Sequence, residues 1–176
     1  MALQSEIRIR EARKADRDGI EKLVVEAYQQ YAAVLPAERW ELYQANIRAS
    51  VDGDGPIARI VAEMDGQIVG SVQLFTSSEV AYGLPDLNIH SPIIRLLAVA
   101  PQTRGRGIAT ALIKESVRRS LELGAETLHL HTSDMMESAV RLYERLGFER
   151  AEDKDFYNGQ TLVKSFRLHL KESAII

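Results

Sequence analysis

Leu96-Leu97-Ala98-Val99-Ala100-Pro101-Gln102-Thr103-Arg104-Gly105-Arg106-Gly107-Ile108-Ala109-Thr110 is the stretch from which the fold is read. An apolar run ends at a proline, a basic glycine-rich turn follows, and a helix begins. Glycine lacks a Cβ, so two of them let the backbone curl tightly and approach a ligand closely. The first turn of a helix leaves N–H groups without intrahelical partners, and with the helix dipole they favour an anion. Arg104 and Arg106 add charge that suits phosphate. The order reads as a pyrophosphate cradle at a strand-to-helix junction.

Working outward, Ile93 to Val99 is nearly all apolar, as in a strand covered on both faces. Ahead of it, Ile57–Met64 and Gln67–Phe75 are two strands around Asp65-Gly66, a strong hairpin signal. Thr76 to Pro92 reads as a long loop without a period, a length associated with function. Further upstream, Glu6 to Arg10 is a short strand, and Asp16 is placed to cap a helix. That helix carries Ile20, Leu23, Val24, Ala27, Tyr28 and Tyr31 on one face. Pro36 opens a second helix with a stripe of Trp40, Tyr43, Ile47 and Val51. Downstream of the turn, a helix buries Ala109, Leu112, Ile113, Val117 and Leu121 and stops at Gly124. Thr127 to Thr132 is a strand. Asp134 and Glu137 mark the start of a helix bearing Met135, Ala139, Leu142, Tyr143 and Leu146, which ends at Gly147. Phe148 starts a strand, Asn158-Gly159 turns the chain, and Leu162 to Leu170 is the last strand. A hairpin ahead of the cradle argues against a purely parallel doubly wound sheet. It fits an α+β fold with a mixed, largely antiparallel central sheet flanked by helices.

The 176 residues suit a single domain spanning 1–176, with its core between about 6 and 170. Hydrophobic residues make up 45% and charged residues 27%, with a net charge of −3. The basic residues are scattered, so no nucleic-acid footprint is present. The absence of cysteine excludes disulfides, thiolate metal sites and a cysteine nucleophile. No apolar run approaches the ~20 residues of a membrane helix. The polar stretch Met1 to Arg10 does not read as a signal peptide, so a cytoplasmic location is expected.

The turn and a second element resemble the GCN5-related N-acetyltransferase (GNAT) family. Its cofactor signature, Gln or Arg, two residues, Gly, one residue, then Gly or Ala, stands here as Gln102-Thr103-Arg104-Gly105-Arg106-Gly107. Its Ala-x-x-Leu-Tyr-x-x-x-Gly-Phe element stands as Ala139 to Phe148. The resemblance runs from about Glu6 to Leu170. It implies acetyl-CoA or another acyl-CoA as acyl donor, and a small amine or peptide as acceptor. It implies that the backbone of Leu97, Ala98 and Val99 meets the pantetheine arm. Gln102 and the N–H groups from Arg104 through Gly105, Arg106, Gly107, Ile108 and Ala109 to Thr110 would then hold the pyrophosphate. It also implies that Tyr143 sits near the thioester sulfur. The chain departs from the family at Met136, where many members carry Asn. It departs again at Ile93-Ile94, where many carry an acidic residue.

Acyl transfer to an amine needs a bound thioester, a neutral amine, a donor for the developing oxyanion and a proton for the leaving thiolate. An alkylamine with pKa ~10.4 is almost fully protonated at pH 7, so a group or a water chain must take that proton. The Val99 N–H, at the strand end, is the candidate oxyanion donor. Tyr143 is the candidate general acid; on the helix pattern alone it is a buried aromatic. His129 and His131 share one face of their strand. With no third ligand evident they read as structural, and no metal is expected. His131, nearer the strand end, is the candidate base. His90 and Glu79 stand in the long loop, within reach of an acceptor or simply on the surface. Trp40, Tyr43 and Tyr82 either line the acceptor side or pack in the core. Two other readings stay open. One is a non-catalytic acyl-CoA-binding module. The other is a dinucleotide enzyme, for which the turn lacks the third glycine, although Glu126 stands about 20 positions on. The apolar end of the last strand offers an edge for pairing with a second copy.

Overall fold

The computed structural model of the chain describes residues 6–29, 33, 35–132, 137–158 and 161–172. Its strands are β1 (Arg8–Glu11), β2 (Ala58–Met64), β3 (Gln67–Phe75), β4 (Ile93–Val99), β5 (Thr127–Thr132), β6 (Glu149–Arg150), β7 (Phe156–Asn158) and β8 (Thr161–His169). The helices are α1 (Arg17–Tyr28), α2 (Ala37–Asp52), α3 (Ser78–Tyr82), α4 (Ile108–Glu122) and α5 (Glu137–Arg145). The strand order is β1-β2-β3-β4-β5-β8-β6, with β7 also pairing β8. β4 and β5 pair in parallel, whereas the pairs β1·β2, β5·β8, β6·β8 and β7·β8 are antiparallel. The mixed, mostly antiparallel sheet flanked by helices is the architecture expected from the hairpin and the helix spacing.

The chain divides into two compact units: residues 1–54, 58–73 and 96–113, and residues 55–57, 74–95 and 114–176. In the first, β1 pairs β2 from Arg8↔Glu63 to Glu11↔Ile60. Asp65 and Gly66 take φ of 53° and 77°, the left-handed pair that a tight two-residue hairpin turn requires. α1 buries Ile20, Leu23, Val24 and Ala27, and α2 buries Ile47 and Val51. Arg17 on α1 reaches Asp52 at the end of α2, with Nη2 to Oδ2 at 2.8 Å. Asp16 does not cap α1. Its carboxylate is engaged by the Arg10 guanidinium at 2.8 and 3.1 Å and by the Arg13 N–H at 2.7 Å. The bidentate pair with β1 holds it away from the helix end, and Arg10 lowers its pKa.

In the second unit, β5 pairs β8 from Thr127↔His169 to Thr132↔Lys164. Leu128, Leu130, Phe166, Leu168 and Leu170 form its buried face. At the apolar end of β8, Leu168 and Leu170 are 2% and 0% exposed within the chain. The stretch 76–92 is not a structureless loop. Ser77 caps α3 through its side chain, which accepts from the Val80 N–H, and Gly83 ends α3 at φ 68°. A 3-10 turn at Pro85–Leu87 follows. Ile57, expected to open β2, is instead 49% exposed ahead of it. Tyr31, Asp134, Met135, Met136 and Gly159 lie outside the described residues.

Candidate functional site

The first unit carries the glycine turn and its supports. β4's parallel register with β5 is Ile93↔His129 and Ile94↔Leu130. Two residues later, Leu96 takes φ 52°. A leucine in the left-handed region costs on the order of 1–2 kcal/mol. Such a residue within a strand re-aims the backbone that follows it, as a bulge does. That backbone is Leu97-Ala98-Val99. It is held by the Tyr28 hydroxyl, which donates to the Leu97 carbonyl at 3.0 Å, and by the Ala100 N–H, which donates to the Val69 carbonyl at 2.8 Å. The Leu97 carbonyl thus already has one partner within the chain.

After Ala100, Pro101–Thr103 makes one 3-10 turn, closed by the Thr103 N–H and hydroxyl on the Ala100 carbonyl, both at 2.9 Å. Thr103 is buried, whereas Gln102, Arg104, Gly105, Arg106 and Gly107 are exposed. The Arg104 N–H contacts the Pro101 carbonyl at 3.4 Å, so the open donor run starts after it. Gly105 and Gly107 take φ of 85° and 79°, and a Cβ built on either would meet nothing within 4 Å. The turn therefore faces open room that a side chain would enter. The Ala111 N–H donates to the Gly107 carbonyl at 3.0 Å. This places Ile108, Ala109 and Thr110 in the first helical turn, where N–H groups have no intrahelical partner. These residues have the chemistry to suit a diphosphate: first-turn N–H groups without intrahelical partners, two glycines with open space at the Cβ position, and the exposed Arg104 and Arg106 in the same turn.

Gly70 fixes where that helix starts. A Cβ at Gly70 would lie 2.6 Å from Ile108 Cγ2, 3.0 Å from Leu112 Cδ1 and 3.2 Å from Ala62 Cβ. α4 can approach β2 and β3 this closely only over a glycine. An isolated glycine inside a strand pattern is the signal that would have found it.

The second unit holds the other expected residues. Tyr143 on α5 is 8% exposed, with its ring 6.0 Å from that of Phe148. Its carbonyl accepts from the Leu146 and Phe148 N–H groups at 3.1 and 3.0 Å, where Gly147 ends the helix. His131 is half-buried. Its Nδ1 is 3.0 Å from Tyr82 Oη and its Nε2 is 3.3 Å from the Lys154 carbonyl. The rings of Tyr82, His131 and Phe156 lie 5.0–5.3 Å apart. The Arg95 guanidinium stands 4.9 Å from the Tyr82 ring centre and 5.8 Å from that of Phe75, and donates to the Ala81 carbonyl at 2.7 Å. Burial raises the Tyr82 pKa; Arg95 opposes this and Tyr143 adds to it. Burial lowers His131 to about 4, opposed by its bond to Lys154 and the charge of Asp155, and reinforced by His129 and Arg95. His131 is therefore neutral at pH 7, with both ring nitrogens occupied. His129 has its own partner, Ser91 Oγ at 3.1 Å, which in turn accepts from Thr127 Oγ1 at 3.0 Å. His90 and Glu79 are exposed. Among the described residues, no group of three or more His, Asp or Glu is placed to hold a metal ion. No described helix is long and apolar enough to cross a membrane. The left-handed Leu96 in the first unit and the Arg95–Tyr82 contact in the second carry no local sequence motif.

Residues 17–148 match the model of the acetyltransferase (GNAT) family. An acetyltransferase from Pectobacterium atrosepticum is 30% identical over 110 residues, covering 62% of this chain and 70% of that protein. N-acetyltransferase family 8 member 2 of Rattus norvegicus is 34% identical over 90 residues, covering 51% of this chain but only 38% of its own length. Among solved structures, an N-acetyltransferase from Thermoplasma acidophilum in complex with coenzyme A aligns with a TM-score of 0.69. The identity is 15%, over 91% of this chain and 98% of that one. An acetyltransferase from Salmonella typhimurium with acetyl-CoA aligns with a TM-score of 0.62 at 18% identity, over 96% of both chains. At these identities the structural likeness is one of fold. With the family model spanning most of the sequence, the chain belongs to the GNAT family of acetyltransferases.

Proposed function

We propose that residues 1–176 act as one domain that transfers an acetyl group from acetyl-CoA to a primary amine by direct attack. The observation that carries this reading is the turn itself. Gly105 and Gly107 open room in front of the first-turn N–H groups of α4, directly after a strand end re-aimed at Leu96. Two structural neighbours were solved with coenzyme A and acetyl-CoA, which supports the donor.

In this reading Gln102, Arg104, Gly105, Arg106, Gly107, Ile108, Ala109 and Thr110 hold the pyrophosphate. The backbone of Leu97, Ala98 and Val99 lines the pantetheine arm, leaving the Leu97 carbonyl to Tyr28. The Val99 N–H meets the negative charge that develops on the thioester oxygen as the amine nitrogen bonds to the carbonyl carbon; a fixed donor of this kind is worth about 3 kcal/mol of barrier. Tyr143 delivers a proton to sulfur as the C–S bond breaks, and His131 is the base that takes the proton shed by nitrogen. The acceptor is a small amine or a peptide amine, and the setting is the cytoplasm. Tyr143→Phe tests the assignment of the acid. Turnover should fall at least tenfold while the dissociation constant for acetyl-CoA stays within twofold. Unchanged turnover would remove Tyr143 from the mechanism.

A further inference from the structure

Leu96 stands at φ 52° inside β4. A leucine in the left-handed region persists only where its surroundings over-determine it. Two of the restraints that follow it are hydrogen bonds within the first unit. The Tyr28 hydroxyl donates to the Leu97 carbonyl at 3.0 Å, and the Ala100 N–H donates to the Val69 carbonyl at 2.8 Å. The first pins the peptide group between Leu97 and Ala98. The second pins the peptide group between Val99 and Ala100. The peptide group between these two bears the Val99 N–H, and Ala98 beside it is 3% exposed. Successive residues of a strand present their N–H and C=O groups to opposite edges. With Ala100 bonded to β3, Leu97 and Val99 present theirs to the other edge, so the Tyr28 hydroxyl shares an edge with the Val99 N–H.

The bond to Val69 is backbone pairing that many sequences would make. The bond from Tyr28 depends on one side chain, and that side chain is braced. Its ring lies 5.9 Å from that of Tyr43, which stacks on Trp40 at 6.1 Å and 18°. Leu23, Val24 and Ala27 bury the α1 face next to it. A hydroxyl carried on a braced ring holds its carbonyl partner with little freedom.

We infer that Tyr28 is a positioning residue for acyl transfer, whose hydroxyl, through the Leu97 carbonyl, aims the Val99 N–H at the thioester oxygen. This rests on the acetyl-transfer reading above, which gives that N–H to the developing oxyanion. Tyr28 gives up no proton: its hydrogen stays on the Leu97 carbonyl throughout. Its effect is geometric. A fixed donor helps only when aimed at the place where charge develops, and a misplacement of about 1 Å costs about 100-fold in rate. Without the hydroxyl, the Leu97–Ala98 peptide group turns more freely after Leu96, and the Val99 N–H turns with it. The glycine turn lies beyond the Ala100 bond, so cofactor binding is spared.

The test reads turnover and bond polarisation separately. Tyr28→Phe keeps the ring and its packing and removes only the hydroxyl. With acetyl-CoA and benzylamine as the probe amine, kcat should fall roughly 10- to 100-fold, while KM for acetyl-CoA stays within twofold. Infrared difference spectra of acetyl-CoA labelled with carbon-13 at the thioester carbonyl, bound to the intact protein, need no acceptor. The C=O stretch should lie lower in the wild-type complex than in the Tyr28→Phe complex, because a well-aimed donor weakens that bond. Ile47→Val, at a buried position of the same unit, is the stability control. It should lower the thermal midpoint and leave both kcat and the stretch unchanged. An identical stretch in wild type and Tyr28→Phe, or a Tyr28→Phe kcat within twofold of wild type, overturns the role of Tyr28 while leaving acetyl transfer intact. Failure of the wild type to release thiol with any amine instead overturns the parent reading.

Discussion

Replacing Gly70 with alanine adds one carbon to β3 and tests how the cradle is supported. Its Cβ would stand 2.6 Å from Ile108 Cγ2 and 3.0 Å from Leu112 Cδ1, where carbon atoms at rest sit about 3.5–4.0 Å apart. Neither Ile108 nor Leu112 has room to yield, since they are 2% and 0% exposed, and the contacted Ile108 methyl is on a stiff β-branched carbon. The first turn of α4 must therefore lift by roughly 1 Å. Overpacking of this kind costs about 1–3 kcal/mol. The lower entropy of an unfolded chain with alanine returns only about 0.4–1 kcal/mol. A net loss of about 1–2 kcal/mol should appear in urea unfolding monitored by fluorescence. Because Ile108 opens the helix whose N–H groups face the turn, affinity for CoA should fall at least fivefold in calorimetric titration. Ile108→Ala removes the clashing methyl, so the double variant should recover part of both losses. A Gly70→Ala protein as stable as wild type, with unchanged CoA affinity, would refute the argument that glycine sets the approach of α4 to the sheet.

Gly107→Ala forces a Cβ onto a backbone at φ 79° and into the room in front of the turn. CoA affinity should drop more than tenfold in calorimetry, and a loss of less than twofold would contradict the cradle. Stability should also depend on two histidines. His129 and His131 are held near pKa 4 in the folded chain against 6.5 when unfolded, chiefly by burial. The unfolded chain binds more protons between those values. Stability from these groups is therefore full above pH 6.5 and is lost as pH falls towards 4. At about 1.4 kcal/mol per pH unit the loss is of order 3 kcal/mol for each histidine. Urea unfolding at pH 7 and pH 4.5 should show it, with much of the difference removed in His129→Gln/His131→Gln; an unchanged difference would argue against the buried neutral state.

Much of the architecture was legible because the decisive signals are local. Asp65-Gly66 is a pair that tolerates positive φ, and Leu128 and Leu130 alternate with His129 and His131 along β5. Asp134 and Met136 lie outside the described residues. Other features depend on distant partners. Asp16 has the chemistry of a helix cap, but Arg10 from β1 binds its carboxylate in two places, and the ion pair prevails over the cap. α3 has five residues, too few to show a helical period; its marks were the Ser77 cap and the Gly83 stop. Nothing about leucine foretells the left-handed conformation of Leu96. The Tyr82–His131 pair joins residues 49 positions apart, beyond any motif window. The glycine turn was therefore readable as a motif, whereas the Tyr82–His131 pair emerges only from tertiary contacts.

The central claim is that this chain moves an acetyl group from a thioester to an amine. Incubating the wild-type protein with acetyl-CoA and a panel of primary amines, while following thiol release and product mass, measures that transfer directly. The account predicts one N-acetylated amine for each CoA thiol released, with at least one acceptor in the panel. Tight CoA binding without thiol release across the whole panel would contradict it and identify the chain as an acyl-CoA-binding module.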